Sequence, residues 1–286
     1  MTIAADTFGA AWRDLLAWLY HHGFSLGARG YPARELCNIE VHVTQALANI
    51  LVNAARQPSY RFMVAEWLWI WFGRDDVATI KQYNTRIADF SDNGIDFNGA
   101  YGVPVREQWP RLLELLTQDP ETRQAVLSIY RVPKGPTKDV PCTIAAQFLL
   151  RRRYLQTIVT MRSSDIWLGL PYDFFNFSQL ANILSAQLRG RGIDAIPGSV
   201  TFHLGSSHLY DVNLDAASRV LDGFTRDTAT LTSPLFLEAP PAALEDVLVR
   251  RAVDVELADP WAAYARVLTC LSPRGAALTA LREVQP

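Results

Sequence analysis

Cysteine is scarce in this chain. Cys37, Cys142 and Cys270 are spread over 286 residues, and their odd number and wide spacing argue against a disulfide framework. Unpaired thiols fit a reducing compartment, and the expected location is cytoplasmic. No Cys-x-x-Cys pair and no Cys/His cluster at zinc spacing occurs, so no metal is expected. Charge of one sign is also lacking. The net charge is −2, which leaves no electrostatic footprint for a nucleic-acid polymer, although a nucleotide-sized anion needs only a few local arginines. The most apolar stretch, residues 62–72, contains Glu66 and falls short of the about 20 residues a bilayer span needs, so no membrane partner is expected. The first residues lack the basic-then-apolar order of a signal peptide. Repeats and low-complexity tracts are missing. The Gly-rich stretch 91–102 follows no apolar strand and carries no Lys-Ser/Thr, so it is not a P-loop.

What is present is a composition of 49% hydrophobic and 20% charged residues, ordinary for one large domain or two small ones. Phe8, Trp12, Leu15, Leu16 and Leu19 recur at helical spacing over residues 8–22, and Gly23, Gly27, Gly30 and Pro32 then break the pattern. Ile39, Val41 and Val43 alternate with polar residues, which predicts a strand over 36–43. Residues 61–73 predict a buried helix ended by Gly73. Inside it Glu66 stands among Trp67, Trp69 and Trp71. A carboxyl there is either a buried acid satisfied by backbone or water, or one with a raised pKa fit for proton transfer.

Further on, a helix is predicted over 109–116 and a strand over 125–130. Two β-runs, 144–150 and 155–161, flank Arg151-Arg152-Arg153 like a hairpin, with the arginines as a solvated turn. A Gly-Leu-Pro turn at 169–171 precedes a helix over 177–188, a strand over 200–204 and a helix over 215–221. The pattern is mixed α and β. Beyond residue 235 the chain turns Ala- and Leu-rich, with Pro240-Pro241. We expect a catalytic domain over 1–235 and a helical appendage of it over 236–286.

Chemistry concentrates between residues 139 and 210. Cys142, Arg162, Asp165 and Asp173 lie at the ends of adjacent β-runs, a thiol and a guanidinium beside two carboxylates. Taken alone, Cys142 reads as an inert thiol at a strand, the usual fate of a lone Cys. Asp173 alone reads as the cap of a helix starting near Phe174.

Four motifs change that weighting: Pro141-Cys142 before a β-run, Arg162-Ser163-Ser164-Asp165, Gly169-Leu170-Pro171, and Gly205-Ser206-Ser207-His208-Leu209-Tyr210. In order and spacing they resemble the thymidylate synthase superfamily. Weaker echoes are Glu66 with Trp69 and Gly73, Gly99-Ala100-Tyr101-Gly102, and Asp119-Pro120-Glu121-Thr122-Arg123, so the likeness covers about residues 29–225. It implies a three-layer α/β (α+β) fold around a mixed sheet, a sheet-to-sheet homodimer, a pyrimidine nucleoside monophosphate as substrate and 5,10-methylenetetrahydrofolate as one-carbon donor.

Three details resemble the branch that hydroxymethylates cytosine nucleotides. Cys142 is followed by Thr143, where methylating synthases have His. The runs Met161-Arg162-Ser163 and Gly205-Ser206-Ser207-His208 are similar to those of the deoxycytidylate hydroxymethylases. Asp173 stands where enzymes acting on uracil have Asn. Cytosine offers an N4 amino donor and an N3 acceptor, and a carboxylate accepts from N4 and from a protonated N3. Cys142 would then add to C6, Glu66 and Tyr101 would move protons, and Asp173 would read the base and relieve charge on it. The resemblance assigns the phosphate to Arg29, Arg162, Ser163 and, from a second subunit, Arg123. It assigns the sugar 3′-hydroxyl to His208 and Tyr210, and the folate to Asp165, Trp69 and Phe90.

The sequence departs from methylating relatives at Thr143, at Gln124 in place of a second Arg, and over residues 281–286, where their apolar closing tail is not recognisable. A less sealed site admits water, so the expected product on dCMP, or CMP, is the 5-hydroxymethyl nucleotide. The rival expectations are C5 methylation of dCMP or dUMP, and a relative that binds nucleotide without catalysis.

Overall fold

The computed structural model describes residues 1–133, 135–222 and 228–283; the side chain of Arg29 lies outside the described residues, as does part of the expected closing tail. The chain opens with β1 (Thr2–Ala5), α1 (Phe8–His22), β2 (Phe24–Leu26), β3 (Ala33–Val43) and β4 (Ile50–Val52). Helices α2 (Tyr60–Trp71), α3 (Val77–Ile80) and α4 (Gly102–Gln118) follow, then β5 (Val126–Ser128), β6 (Thr143–Arg151) and β7 (Tyr154–Asp165). Next come α5 (Leu170–Gly190), β8 (Ile196–Tyr210), α6 (Leu214–Leu221) and β9 (Ala229–Leu231). Helices α7 (Ala243–Arg250), α8 (Trp261–Thr269) and α9 (Gly275–Arg282) close the described chain.

A mixed sheet in the order β1-β3-β8-β7-β6-β5, with β2 on β3, forms the centre; β4 and β9 pair separately. The hairpin expected around Arg151–Arg153 is there, with Arg151 paired to Tyr154 and Arg152 at φ +59°. Helix α5 packs on β7 and β8, and α2 packs on α5. That stacking gives a sheet layer and two helical layers. Helix α5 is buried nearly all round, as a helix between two layers must be. Phe8 of α1 stacks on Phe174 of α5 with ring centroids 4.3 Å apart. The inward faces of the strands supply Val41, Val43, Val159, Met161, Val200, Phe202 and Leu204. On the other face Glu40, His42, Thr160, Thr201 and His203 are half-buried or exposed, uncovered by any helix among the described residues.

Two expected boundaries move, for the same physical reason. Helix α4 begins at Gly102, not 109, because Pro104 falls in the first turn, where a missing N–H is tolerated. The turn expected at 169–171 is the opening turn of α5, with Pro171 inside that first turn. Asp173 therefore does not cap a helix beginning at 174. Gly169 is the cap residue, and Asp173 sits in the first turn, where an acid meets the positive end of the helix dipole.

The alternation of the central strands changes phase at one level. In β7 Leu155, Thr157, Val159 and Met161 are buried, and then Ser164; in β8 Val200, Phe202 and Leu204 are buried, and then Ser207 and Leu209. In β3 the successive residues Cys37 and Asn38 are both exposed, and Asn38 has φ +56°. These positions are neighbours, since Ser163 pairs with Ser206 and Ser206 with Cys37. Gly205 lets the strands close up here, because a Cβ on it would lie 2.9 Å from Arg162 O. The phase change falls where the strands deliver Arg162–Asp165 and Ser206–Tyr210.

The C-terminal helices pack on α2. Trp67 of α2 stacks on Phe236 and Trp261, with ring centroids 5.7 and 6.5 Å away, and tilts against Tyr264 at 5.2 Å. Arg74, just past α2, bridges to Glu245 of α7 at 2.9 Å.

Candidate active site

Cys142 stands immediately before β6, and its carbonyl accepts from Arg162 N at 2.9 Å. The Arg162 guanidinium is locked against the same segment. Its Nε donates to Pro141 O at 2.9 Å and its Nη2 to Val140 O at 2.8 Å. Nη2 also lies 3.8 Å from the half-buried Cys142 Sγ. A fixed cation at a thiol favours the thiolate. Nη1 has no hydrogen-bond partner among the described residues.

Tyr101, at the start of α4, reaches the same point from across the cleft. Its hydroxyl accepts from Thr143 N at 3.2 Å. Burial holds the phenol well above its ordinary pKa, with Asp173 and Cys142 adding to the effect. The phenol is therefore neutral over the working pH range.

Glu66 on α2 is close enough to Asp173 on α5 for its charge to act on it. Burial pushes Glu66 up to about 7, and a hydrogen bond donated by Asn176 Nδ2 at 2.9 Å offsets only part of that. Asp173 is pushed well above the usual carboxylate range, first by burial and then by the like charges of Glu66 and Asp165. No donor among the described residues satisfies it. Asp165 ends β7, level with His208 on β8, and its Oδ1 accepts from Trp167 N and Leu168 N, each at 2.8 Å. Burial raises its pKa, against those bonds and the nearby His208. Among the described residues no cation offsets the charge of Asp173 and Glu66, which favours at least one neutral carboxylic acid.

The structure brings Cys142, Arg162, Tyr101, Asp173, Glu66 and Asp165 into one connected cluster. His208 and Tyr210 stand side by side at the end of β8, their rings 5.1 Å apart and edge-on, and Ser163 is paired with Ser206 on the same strand edge. Arg123 is exposed ahead of β5, where its carbonyl accepts from Gln147 Nε2, and it does not join the cluster. Phe90 is 58% exposed and offers a free ring face. Trp69 is buried, donates its Nε1–H to Asp76 O at 3.2 Å and packs edge-on to Phe97. It is a core residue with no face open to a ligand.

Sequence reasoning passed over Asn176. The available signal was an amide three residues after Asp173, inside the apolar run Phe174–Phe177 of a buried helix. Among the described residues no group of three or more His, Cys, Asp or Glu could hold a metal, and no helix is long and apolar enough to cross a membrane.

A family model described as thymidylate synthase matches residues 12–247. A deoxyuridylate hydroxymethyltransferase of Bacillus phage SP01 is 31% identical over 216 residues, covering 69% of this chain and 55% of that protein. Another of the same description, from Pseudomonas phage M6, is 32% identical over 141 residues, covering 46% of this chain and 40% of that protein. The chain thus spans about half the length of the curated relatives it matches.

Proposed function

The chain belongs to the thymidylate synthase family, and from that premise we propose that it transfers a one-carbon unit to C5 of a pyrimidine nucleoside monophosphate, giving the 5-hydroxymethyl product on dCMP or CMP. The observation that carries the choice of base is Asp173, a recessed carboxyl with no internal partner and a raised pKa. As a neutral acid it donates its O–H to cytosine N3 and accepts from the N4 amino group.

Cys142, as thiolate beside Arg162, adds to C6 and breaks the C5–C6 double bond. The charge that builds toward N3 draws the proton from Asp173, so that the anion moves to a carboxylate. 5,10-Methylenetetrahydrofolate, when bound, supplies a carbon at the formaldehyde oxidation level. Asp165 and the open ring of Phe90 fit that group as a polar anchor and an apolar surface; Trp69 does not, because it is committed to the core. Once C5 carries the new carbon, Tyr101 relays the C5 proton, and Glu66, near 7, stores and returns protons at neutral pH. Loss of the C5 proton would release tetrahydrofolate as the leaving group from the new carbon; water then adds to that carbon and gives a proton to Glu66, and Cys142 leaves C6 as thiolate with the C5–C6 double bond restored.

Arg162 Nη1, Ser163 and Arg29 take the phosphate, joined by Arg123 of a second subunit. His208 and Tyr210 hold the 3′-hydroxyl. The sheet face left uncovered by helices supports a sheet-to-sheet homodimer. The helices of residues 236–286 belong to the same catalytic unit, because their aromatic side chains close the far side of α2.

A second reading, dUMP as substrate, has its own support. Both relatives act on deoxyuridylate by name, and a neutral carboxyl turned over accepts from uracil N3–H and donates to O4. Mass spectrometry of products formed from dCMP, CMP and dUMP with methylenetetrahydrofolate separates the readings. We expect a gain of one CH2O on a cytosine nucleotide, and Asp173→Asn shifts the cytosine-to-uracil ratio toward uracil by about 100-fold or more. A methylated product with dihydrofolate release, or an unmoved ratio, overturns this reading.

A further inference from the structure

Helix α5 buries several amides, and they are spent differently. Gln179 Nε2 donates to Ser233 Oγ at 2.7 Å and Asn182 Nδ2 to Pro234 O at 2.9 Å, both tying α5 to a neighbouring segment. Asn176, 1% exposed, instead donates to an ionisable group, Glu66 Oε2. That is the one hydrogen bond recorded for the Glu66 carboxyl among the described residues. The other end of the amide, Asn176 Oδ1, is buried with no partner.

An unsatisfied buried oxygen is unfavourable, and an apolar residue of this size would avoid it. The amide has one property such a residue lacks. Its two ends are nearly the same shape and opposite in hydrogen-bonding sense, so a half-turn about χ2 exchanges donor for acceptor. A carboxylate needs the donor; a carboxylic acid, with its O–H, needs the acceptor.

We propose that Asn176 is a positioning residue whose side-chain amide turns to follow the proton on Glu66, donating Nδ2–H to the carboxylate and accepting the acid's O–H at Oδ1. The proton passes between Glu66 and the nucleotide, as the proposed reaction requires, and Asn176 gains and loses none. The inference rests on the reading of Glu66 as the group that moves protons. The other titratable groups toward this pair are Asp173 on α5 and, beyond it, Asp165 at the end of β7, Tyr101 at the start of α4 and Cys142 before β6. Beyond Cys142 lies the cation Arg162, which is bonded to the Cys142 segment, so among the described residues Asn176 is the group that donates to Glu66 and works against the burial that raises its pKa.

The test is a 13C NMR titration of the free protein labelled at glutamate carboxyls, with the Glu66 signal assigned by Glu66→Gln, alongside the pH profile of kcat/KM, which reports the free enzyme. In the wild type the midpoint lies near 7. Asn176→Leu raises it by about one unit, because the charge-assisted bond lost by the carboxylate is stronger than the neutral bond lost by the acid. The kcat/KM limb moves by the same amount while the nucleotide KM at neutral pH stays near wild type. Asn176→Ser, a smaller change should the leucine variant not fold, moves both in the same direction by less. A midpoint that stays put in either folded variant overturns the proposal. So does a midpoint that moves without the kcat/KM limb, since that is the behaviour of a merely structural amide. The titration needs no substrate, so a protein that turns over no pyrimidine nucleotide defeats the proposed function and still leaves the link between Asn176 and Glu66 decided.

Discussion

The two sides of α2 could hardly differ more. One carries Glu66 toward Asn176 and Asp173, acids held without a cation and amides without full partners. The other carries Trp67 into Phe236, Trp261 and Tyr264, an aromatic cluster packed edge and face. Large rings buried together contribute much of a domain's stability, and buried like charges subtract from it. A single helix thus holds an unfavourable acid in place because its back is anchored. The lesson is that the C-terminal helices matter to the site without touching it.

Substitutions on the two sides should separate cleanly. The largest effect belongs to the site: Cys142→Ser loses turnover by at least about 10,000-fold, and urea denaturation of the variant keeps the wild-type midpoint. On the anchoring side the pattern inverts. Trp67→Ala costs about 3–5 kcal/mol of unfolding free energy, read from urea curves, through the cavity it leaves among the rings. Trp67→Phe costs far less, since the indole N–H it removes has no acceptor among the described residues.

Glu66→Gln tests the cost of the acid itself. The folded-state pKa is raised from 4.5 to about 7, so the stabilising preference for the protonated form is complete below 4.5 and is lost as the pH climbs through 7. The glutamine variant escapes that loss. It should match wild type at pH 4 and exceed it at pH 8 by up to about 3 kcal/mol, from a shift of about 2.5 units. A wild type that holds its advantage at pH 8 would contradict the burial argument. The smallest effect is at the exposed end of the anchor. Glu245→Ala removes the bridge to Arg74, a partly exposed pair that thermal melting should value at under about 1 kcal/mol.

The clustering of Cys142, Arg162 and Asp165 was anticipated through the family resemblance carried by short motifs at strand ends; taken alone, Cys142 read as an inert thiol. The raised pKa of Glu66 was one of two open readings, and burial of the carboxyl is what raises it. The buried α2 and the β6–β7 hairpin followed from apolar periodicity and from the Arg151–Arg153 break. Other features were not legible, for identifiable reasons. Pro171, read as part of a turn, lies in the first turn of α5, and Pro104 lies in the first turn of α4, so both helices begin earlier than the pattern suggested. Strands of three or four residues such as β1, β2, β4 and β9 carry too few alternations to register. Trp69 fitted a motif, yet its ring is used up in the core. Asn176 gave only the faint signal of an amide in an apolar run, because its partner is 110 positions away.

The place where β3, β7 and β8 change phase also constrains how such a protein can vary. Asn38, Arg162 and Gly205 lie abreast on three strands distant in the chain. A deletion or side-chain enlargement at any one of them throws a single strand out of step with its two companions. The trio can therefore be inherited only as a set: a recombinant that takes β8 from a relative and keeps its own β3 and β7 would be viable only where both parents reverse their alternation at the same rung.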